Sequence, residues 1–202
     1  MNACSANNKA ATLSRTIVDE RLDVLVITET WHEGPGSITL KRLTPPGFRC
    51  VETARPIPPG AATDSVNFQN HGGLAVIHRD VIRFQKRSLD HNPSSFEHVC
   101  GYASTADSQF VLLGIYRPCS YPLTHKFFDE LSTVFEQLGV SYRCPVVVCG
   151  DFNVHYDLPD DGNAVRFRDL LQSIGFVQHI TEPAHARGHI LDLVITKGGA
   201  IH

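Results

Sequence analysis

The sequence is punctuated by short, almost wholly apolar runs rich in branched side chains: LDVLVIT at 22–28, FVLLGIY at 110–116, VVVC at 146–149 and ILDLVIT at 190–196. Runs of that length and continuity describe strands covered on both faces, because a strand with one wet face alternates polar and apolar residues. Carboxylates intrude on three of the runs. Glu29 directly follows LDVLVIT, Asp151 follows VVVCG, and Asp192 sits inside ILDLVIT. A buried carboxylate is costly unless it is paired or faces a cation. Strands converging with such acids would gather oxygen ligands in one pocket, a set that suits Mg2+ or Mn2+ rather than zinc. Taken singly, each acid also reads as a hydrogen-bonded loop cap, since strand ends commonly carry Asp and Asn.

Helical patterns alternate with these strands. Thr12–Glu20 carries Leu13 and Ile17 at amphipathic spacing, and Thr124–Leu138 places Phe127, Phe128, Leu131, Val134, Phe135 and Leu138 on one face. Asn163–Ser173 reads as a helix ended by Gly175. A strand is predicted over Leu74–His78 after Gly72-Gly73, where the glycines allow close backbone packing. His32–Gly36 is a loop and Pro118–Pro122 a turn. Pro45–Ala62 holds five prolines and two glycines, so it cannot be regular throughout. Consecutive strands with few helices suggest sheets packed face to face with helices outside.

The bulk numbers set limits. At 202 residues, with 42% hydrophobic and 19% charged, the chain suits one soluble globular domain over 1–202. A net charge of −3 excludes gripping nucleic acid by overall charge, so any such contact is local. Eighteen consecutive apolar residues occur nowhere, so no membrane span is expected. Six cysteines without a C-x-x-C spacing read as free thiols of a reducing compartment, and Cys149 as a small core residue.

Around Asp151 the pattern sharpens. Gly150 lets the strand end turn, Asp151 presents an oxygen, Phe152 tucks back, and Asn153 offers both a donor and an acceptor. A donor beside such a carboxylate suits a phosphate oxygen that gains charge during reaction. Arg117, beside Tyr116, is suited to phosphate contact. Tyr116 itself has a second reading as a buried phenol at a strand end. Trp31 packs over its loop or stacks on a base. His155 is a rim residue or a base; His179, His185 and His189 are solvated or a zinc cluster. Arg166 and Arg168 read as a solvated helix face.

With NACSANNK at 2–9, DVLVITETW at 23–31, HGGLAVI at 71–77, LLGIYRP at 112–118, VVVCGDFNVH at 146–155 and ILDLVIT at 190–196, the chain resembles the endonuclease/exonuclease/phosphatase superfamily. Within it, the wording is closest to the apurinic-type endonuclease domain of non-LTR (LINE-type) retrotransposons. The resemblance implies an α/β fold, a four-layered α-β-β-α sandwich of two mixed sheets. It implies that Glu29 binds the metal and that Asn2 helps build the metal site. It implies that Tyr116 contacts the scissile phosphate, that Asp151 positions water or metal, and that Asn153 steadies the transition state. Asp192 matches the aspartate that orients a catalytic histidine. The family's strand before Asn2 and its later Ser-Asp-His segment are not found, so the fold is expected to be truncated at both ends, with that histidine missing.

The expected function is therefore a Mg2+- or Mn2+-dependent DNA endonuclease of a retrotransposon, inside the cell and nuclear if it acts on DNA. Its nick would prime a reverse transcriptase region encoded downstream. The alternatives are an inactive remnant of that domain, or a phosphatase or phosphodiesterase of the same superfamily acting on a small-molecule or lipid phosphate.

Overall fold

A computed structural model describes residues 1–56, 71–183 and 188–198. The chain divides into two compact units, Met1–Val81 and Ile82–His202.

The first unit contains α1 (Ala10–Asp19), β1 (Val24–Thr28), α2 (Ile38–Leu43), β2 (Phe48–Thr53) and β3 (Leu74–Arg79). Its sheet runs β1-β3-β2, antiparallel throughout. Leu13 and Ile17 of α1 and Leu43 of α2 pack with Ile27 and Ile77 from one face of the sheet, so the apolar stripe read in α1 is what holds it there. Asn2 forms an isolated parallel bridge to Thr28, the last residue of β1. β2 lies within the proline-rich stretch, after Pro45-Pro46-Gly47; residues 57–62 of that stretch lie outside the described residues.

The second unit holds β4 (Arg83–Arg87), β5 (Glu97–Ser104), β6 (Gln109–Tyr116), α3 (His125–Ser141), β7 (Val146–Asp151), α4 (Gly162–Ile174), β8 (Val177–Gln178) and β9 (Asp192–Lys197). Its sheet is mixed, in the order β4-β5-β6-β7-β9-β8. Only β6 and β7 pair in parallel among these strands, and α3 is the crossover that a parallel pair requires. Inward residues Val111, Leu113, Ile115, Val146, Val148, Leu193 and Ile195 form one core with Phe127, Phe135 and Leu138 of α3 and Phe167 and Leu171 of α4. The helices therefore cover one face. Asp161 caps α4 by accepting from Ala164 N at 2.8 Å, and Gly175 ends it at φ 77°. The turn read at Pro118–Pro122 is present, with Tyr121 N donating to Pro118 O at 3.0 Å.

The fold is thus α/β with a three-stranded and a six-stranded sheet, the larger of them mixed. No disulfide joins the six cysteines, and burial pushes the thiols of Cys50, Cys100 and Cys149 up to about 11, away from thiolate reactivity.

Candidate functional site

In the second unit, register does the assembling. Tyr116, the last residue of β6, stands opposite Asp151, the last of β7. Asp151 in turn stands opposite Asp192, the first residue of β9. Direct register partners point to the same face. Alternation along each strand puts this row on the face away from α3 and α4, whose core takes Ile115, Val148 and Leu193. Tyr116 and Asp151 are buried, at 4% and 3% exposure, so any proton or charge they handle acts in a low dielectric. On the other side of Tyr116 the row continues to Glu97 of β5, an acid the sequence reading passes over because EHVCGYAS carries no apolar run.

The strand ends are locked. Gly150 sits at φ 143°, and a Cβ there would lie 1.9 Å from the Ile115 carbonyl oxygen, so no other residue fits between β6 and β7. Arg117 N donates to Asp151 O at 2.9 Å, and Asn153 N donates back to Asp151 Oδ1 at 3.0 Å. Asn153 adopts a left-handed φ of 49° and donates through Nδ2 to Arg117 O at 2.8 Å. That leaves its second amide N–H for a ligand.

Arg117 has a different part from the phosphate contact expected of it. Its buried guanidinium donates to Phe152 O at 2.7 Å, Asn153 O at 2.6 Å, Pro118 O at 3.2 Å and Tyr121 O, and lies over the Phe127 ring. It clamps the two loops that end β6 and β7. Burial pulls its pKa below the ordinary guanidinium value, partly offset by attraction to Asp151.

In the first unit, Glu29 leaves β1 at a left-handed φ of 53°, and Trp31 repeats that value two residues on. Such angles cost free energy and persist only where the surroundings impose them. Here they are imposed from both sides: Ser5 N donates to Glu29 O at 2.9 Å and Trp31 N to Gly72 O at 2.8 Å. Beneath the loop runs a buried chain, Thr30 Oγ1 to His32 Nδ1 at 2.6 Å and His32 Nε2 to Glu52 Oε2 at 2.6 Å. A Cβ on Gly73 would strike Thr30 Oγ1 at 2.8 Å, in keeping with the close packing expected of the glycine pair. Asn2 Nδ2 donates to Glu29 Oε1 at 2.8 Å, and Asn2 Oδ1 accepts from Cys4 N at 2.9 Å. Asn2 therefore fixes the Glu29 carboxylate. Trp31 packs edge-on against His71, ring centroids 4.2 Å apart.

Among the described residues, no group of three His, Cys, Asp or Glu side chains could hold a metal on its own. A hard cation such as Mg2+ does not need one. It keeps several waters and is usually held by one or two carboxylates together with substrate phosphate. The Glu29 carboxylate, with its amide neighbour, fits that kind of ion.

The family model described as "Endonuclease/Exonuclease/phosphatase family" matches residues 1–201. The chain belongs to this family. Its fold is shared with the endonuclease domain of TRAS1, a telomere-specific non-LTR retrotransposon, at a TM-score of 0.68 and 15% identity, over 96% of this chain and 81% of that one. The AP endonuclease LMAP from Leishmania major matches at a TM-score of 0.66 and 15% identity, over 96% and 77%. The 3' phosphatase NExo from Neisseria, bound to product DNA hairpin, matches at 0.58 and 16%, over 96% and 84%. No curated protein sequence matches the chain.

Other residues of this family member fall differently from their sequence reading. His179 bonds Thr196 Oγ1 at 2.7 Å through Nε2, near the far end of β9 from Asp192, about 13 Å along the strand. His189 precedes Asp192 by three residues, and His185, the third histidine of that reading, lies outside the described residues. Arg168 is half-buried and bonded to backbone carbonyls rather than simply presented to solvent. It donates to Tyr156 O at 2.8 Å, Leu158 O at 3.2 Å and Pro159 O at 2.8 Å, tying α4 to the loop after Asn153. His155 and His189 pack with centroids 4.3 Å apart and rings tilted by 47°, a pairing invisible in sequence because the two lie far apart along the chain.

Proposed function

We propose that this chain hydrolyses phosphodiester bonds of DNA with a divalent cation, Mg2+ or Mn2+, as the nicking endonuclease of a non-LTR retrotransposon. The observation that carries this reading is the row Tyr116–Asp151–Asp192, a phenol and two carboxylates at one level of three adjacent strands. The similarity in fold to the TRAS1 retrotransposon endonuclease and to the Neisseria phosphatase bound to a product DNA hairpin supports DNA as substrate.

Glu29 would hold the cation, with Asn2 keeping its carboxylate in place. When bound, that ion offsets charge on the phosphate and on the leaving oxygen. Asp151, held by the Asn153 N–H on one oxygen, accepts a hydrogen bond from the attacking water and aims it. The Tyr116 hydroxyl and the second amide N–H of Asn153 donate to the phosphate oxygens as their charge grows. Asp192 accepts from, and so orients, a neighbouring donor. With a net charge of −3, the protein meets DNA through these local contacts. In an intact element a reverse transcriptase region would extend from the nick.

Supercoiled plasmid incubated with the protein and Mg2+ tests the reading. Nicked circles are expected, and Glu29→Ala should slow their appearance by roughly 10²-fold or more. Intact plasmid alongside release of phosphate from a small phosphomonoester would assign the chain to the phosphatases of its family. Inertness on both would mark a non-catalytic family member.

A further inference from the structure

Beyond the row of strand ends, the second unit holds an imidazole, that of His189, fixed by its neighbours. The segments that continue β7 and precede β9 stay side by side past Asp151 and Asp192: Phe152 N donates to Leu191 O at 3.1 Å and Tyr156 N to Ile190 O at 3.3 Å. They carry His155, two residues beyond Asn153, and His189, three residues before Asp192. The two rings pack against each other with centroids 4.3 Å apart, tilted by 47°. Asp157 holds the second ring in place. Its Oδ2 lies 3.0 Å from His189 Nδ1, and its Oδ1 accepts from Ile190 N at 2.9 Å. An ionised carboxylate can only accept, so Nδ1 carries the proton and the ring's direction and tautomer are fixed. Nε2 has no hydrogen-bond partner among the described residues, and the side chain is 34% exposed. A carboxylate-bound imidazole with its far nitrogen open to solvent is the arrangement of a positioned proton donor. A metal site is the poorer account, since the two imidazoles and Asp157 form no ligand set for an ion among the described residues.

The geometry points to His189, positioned by Asp157, as the group that protonates the leaving oxygen when a phosphodiester is cleaved. This rests on the phosphodiesterase reading above. Water oxygen forms the new bond to phosphorus and gives its proton to Asp151. The bond from phosphorus to the leaving oxygen breaks, and that oxygen takes the Nε2 proton of the His189 imidazolium. Solvent then returns a proton to His189 and removes one from Asp151, so charge and atoms balance. Asp157 acts as a positioning residue, fixing the ring through Nδ1. His155 packs against the same ring.

The test compares two oligonucleotides, one with the ordinary bridging oxygen and one with sulfur in the leaving position. A thiolate leaves without protonation, so it needs no acid. His189→Ala should cut the oxygen substrate on the order of 10²-fold more slowly while cleaving the sulfur substrate at nearly the parent rate, which also shows that the variant is folded. Asp157→Asn should lower kcat on the oxygen substrate, leave KM unchanged and leave the sulfur substrate unaffected. Equal slowing of both substrates by His189→Ala, or slowing of neither, would overturn the acid role while leaving the phosphodiesterase reading intact. If the parent protein cleaves neither oligonucleotide, that reading falls and this assignment falls with it.

Discussion

Asp151 and Asp192 face each other across the β7–β9 ladder, the last residue of one strand against the first of its antiparallel neighbour. Two carboxylates at adjacent positions repel unless something between or beside them supplies positive charge or protons. On the Asp151 side the Asn153 N–H and the nearby Arg117 guanidinium do so. The strand ends are therefore built around the charge they carry, and the neighbours that hold them should be the least tolerant positions of the second unit.

Gly150 is the clearest of these. Any Cβ there would overlap the Ile115 carbonyl oxygen of the neighbouring strand, at a φ that L residues rarely adopt. Gly150→Ala is expected to cost at least about 3 kcal/mol, because only movement of β6 against β7 relieves the overlap. The midpoint of urea unfolding measures this. Gly34→Ala, where a Cβ meets no atom within 4 Å, serves as the contrast for φ strain without overlap.

Arg117 is expected to behave as a loop clamp. Arg117→Lys keeps the charge but loses the planar fork that reaches Phe152 O, Asn153 O, Pro118 O and Tyr121 O. Stability should fall by about 2–4 kcal/mol, since buried carbonyls are left without donors. A phosphate-contacting arginine would instead show weaker substrate binding at unchanged stability, so unfolding and KM measured together separate the two.

Glu130 of α3 should give the fold a pH dependence. Burial raises its pKa, but hydrogen bonds from the backbone N–H and hydroxyl groups of Ser94 and Ser95 outweigh that and leave it below the ordinary value. A lowered folded-state pKa means the contribution is complete above the unfolded pKa, about 4.3, and fades as pH falls through the folded value. Glu130→Gln should thus destabilise by about 1–3 kcal/mol near neutral pH, with the difference from the parent shrinking below pH of about 4. Denaturant midpoints at a series of pH values check it.

Much of this was legible in the residues. Strands β1, β3, β6, β7 and β9 announce themselves as branched apolar runs, and α3 and α4 by their periodicity and by Gly175. β4 is hidden because RFQKR is a charged edge strand with Phe84 as its only half-buried residue, and charge on an edge blocks unwanted pairing. β5 is hidden because Gly101 leaves a gap in it, which the Phe84 ring fills. Asn2, Glu29, Tyr116, Asp151, Asn153 and Asp192 could be named from their motifs. That Arg117 is occupied by backbone carbonyls, that His189 is held by Asp157, and that Glu97 joins the row could not, because each depends on register or loop closure between distant segments.

Asn2 and Glu29 offer a metal test independent of the strand row. EDTA should abolish nicking and Mg2+ or Mn2+ restore it. Asn2→Ala, which frees Glu29 Oε1 from its 2.8 Å hydrogen bond, should raise the Mg2+ concentration needed for half-maximal rate by roughly 10-fold, a typical effect of removing a partner that orients a metal ligand. An unchanged requirement would mean that Asn2 serves only the backbone of its own loop.

The central claim is that the row at the strand ends carries out phosphodiester cleavage, and Asp151→Asn probes it most directly. The substitution keeps shape and one acceptor oxygen while removing the charge that aims water. Single-turnover nicking of supercoiled plasmid should slow by about 10²–10⁴-fold, with the far-ultraviolet circular dichroism of the parent retained. A folded Asp151→Asn protein that nicks at the parent rate would contradict the account.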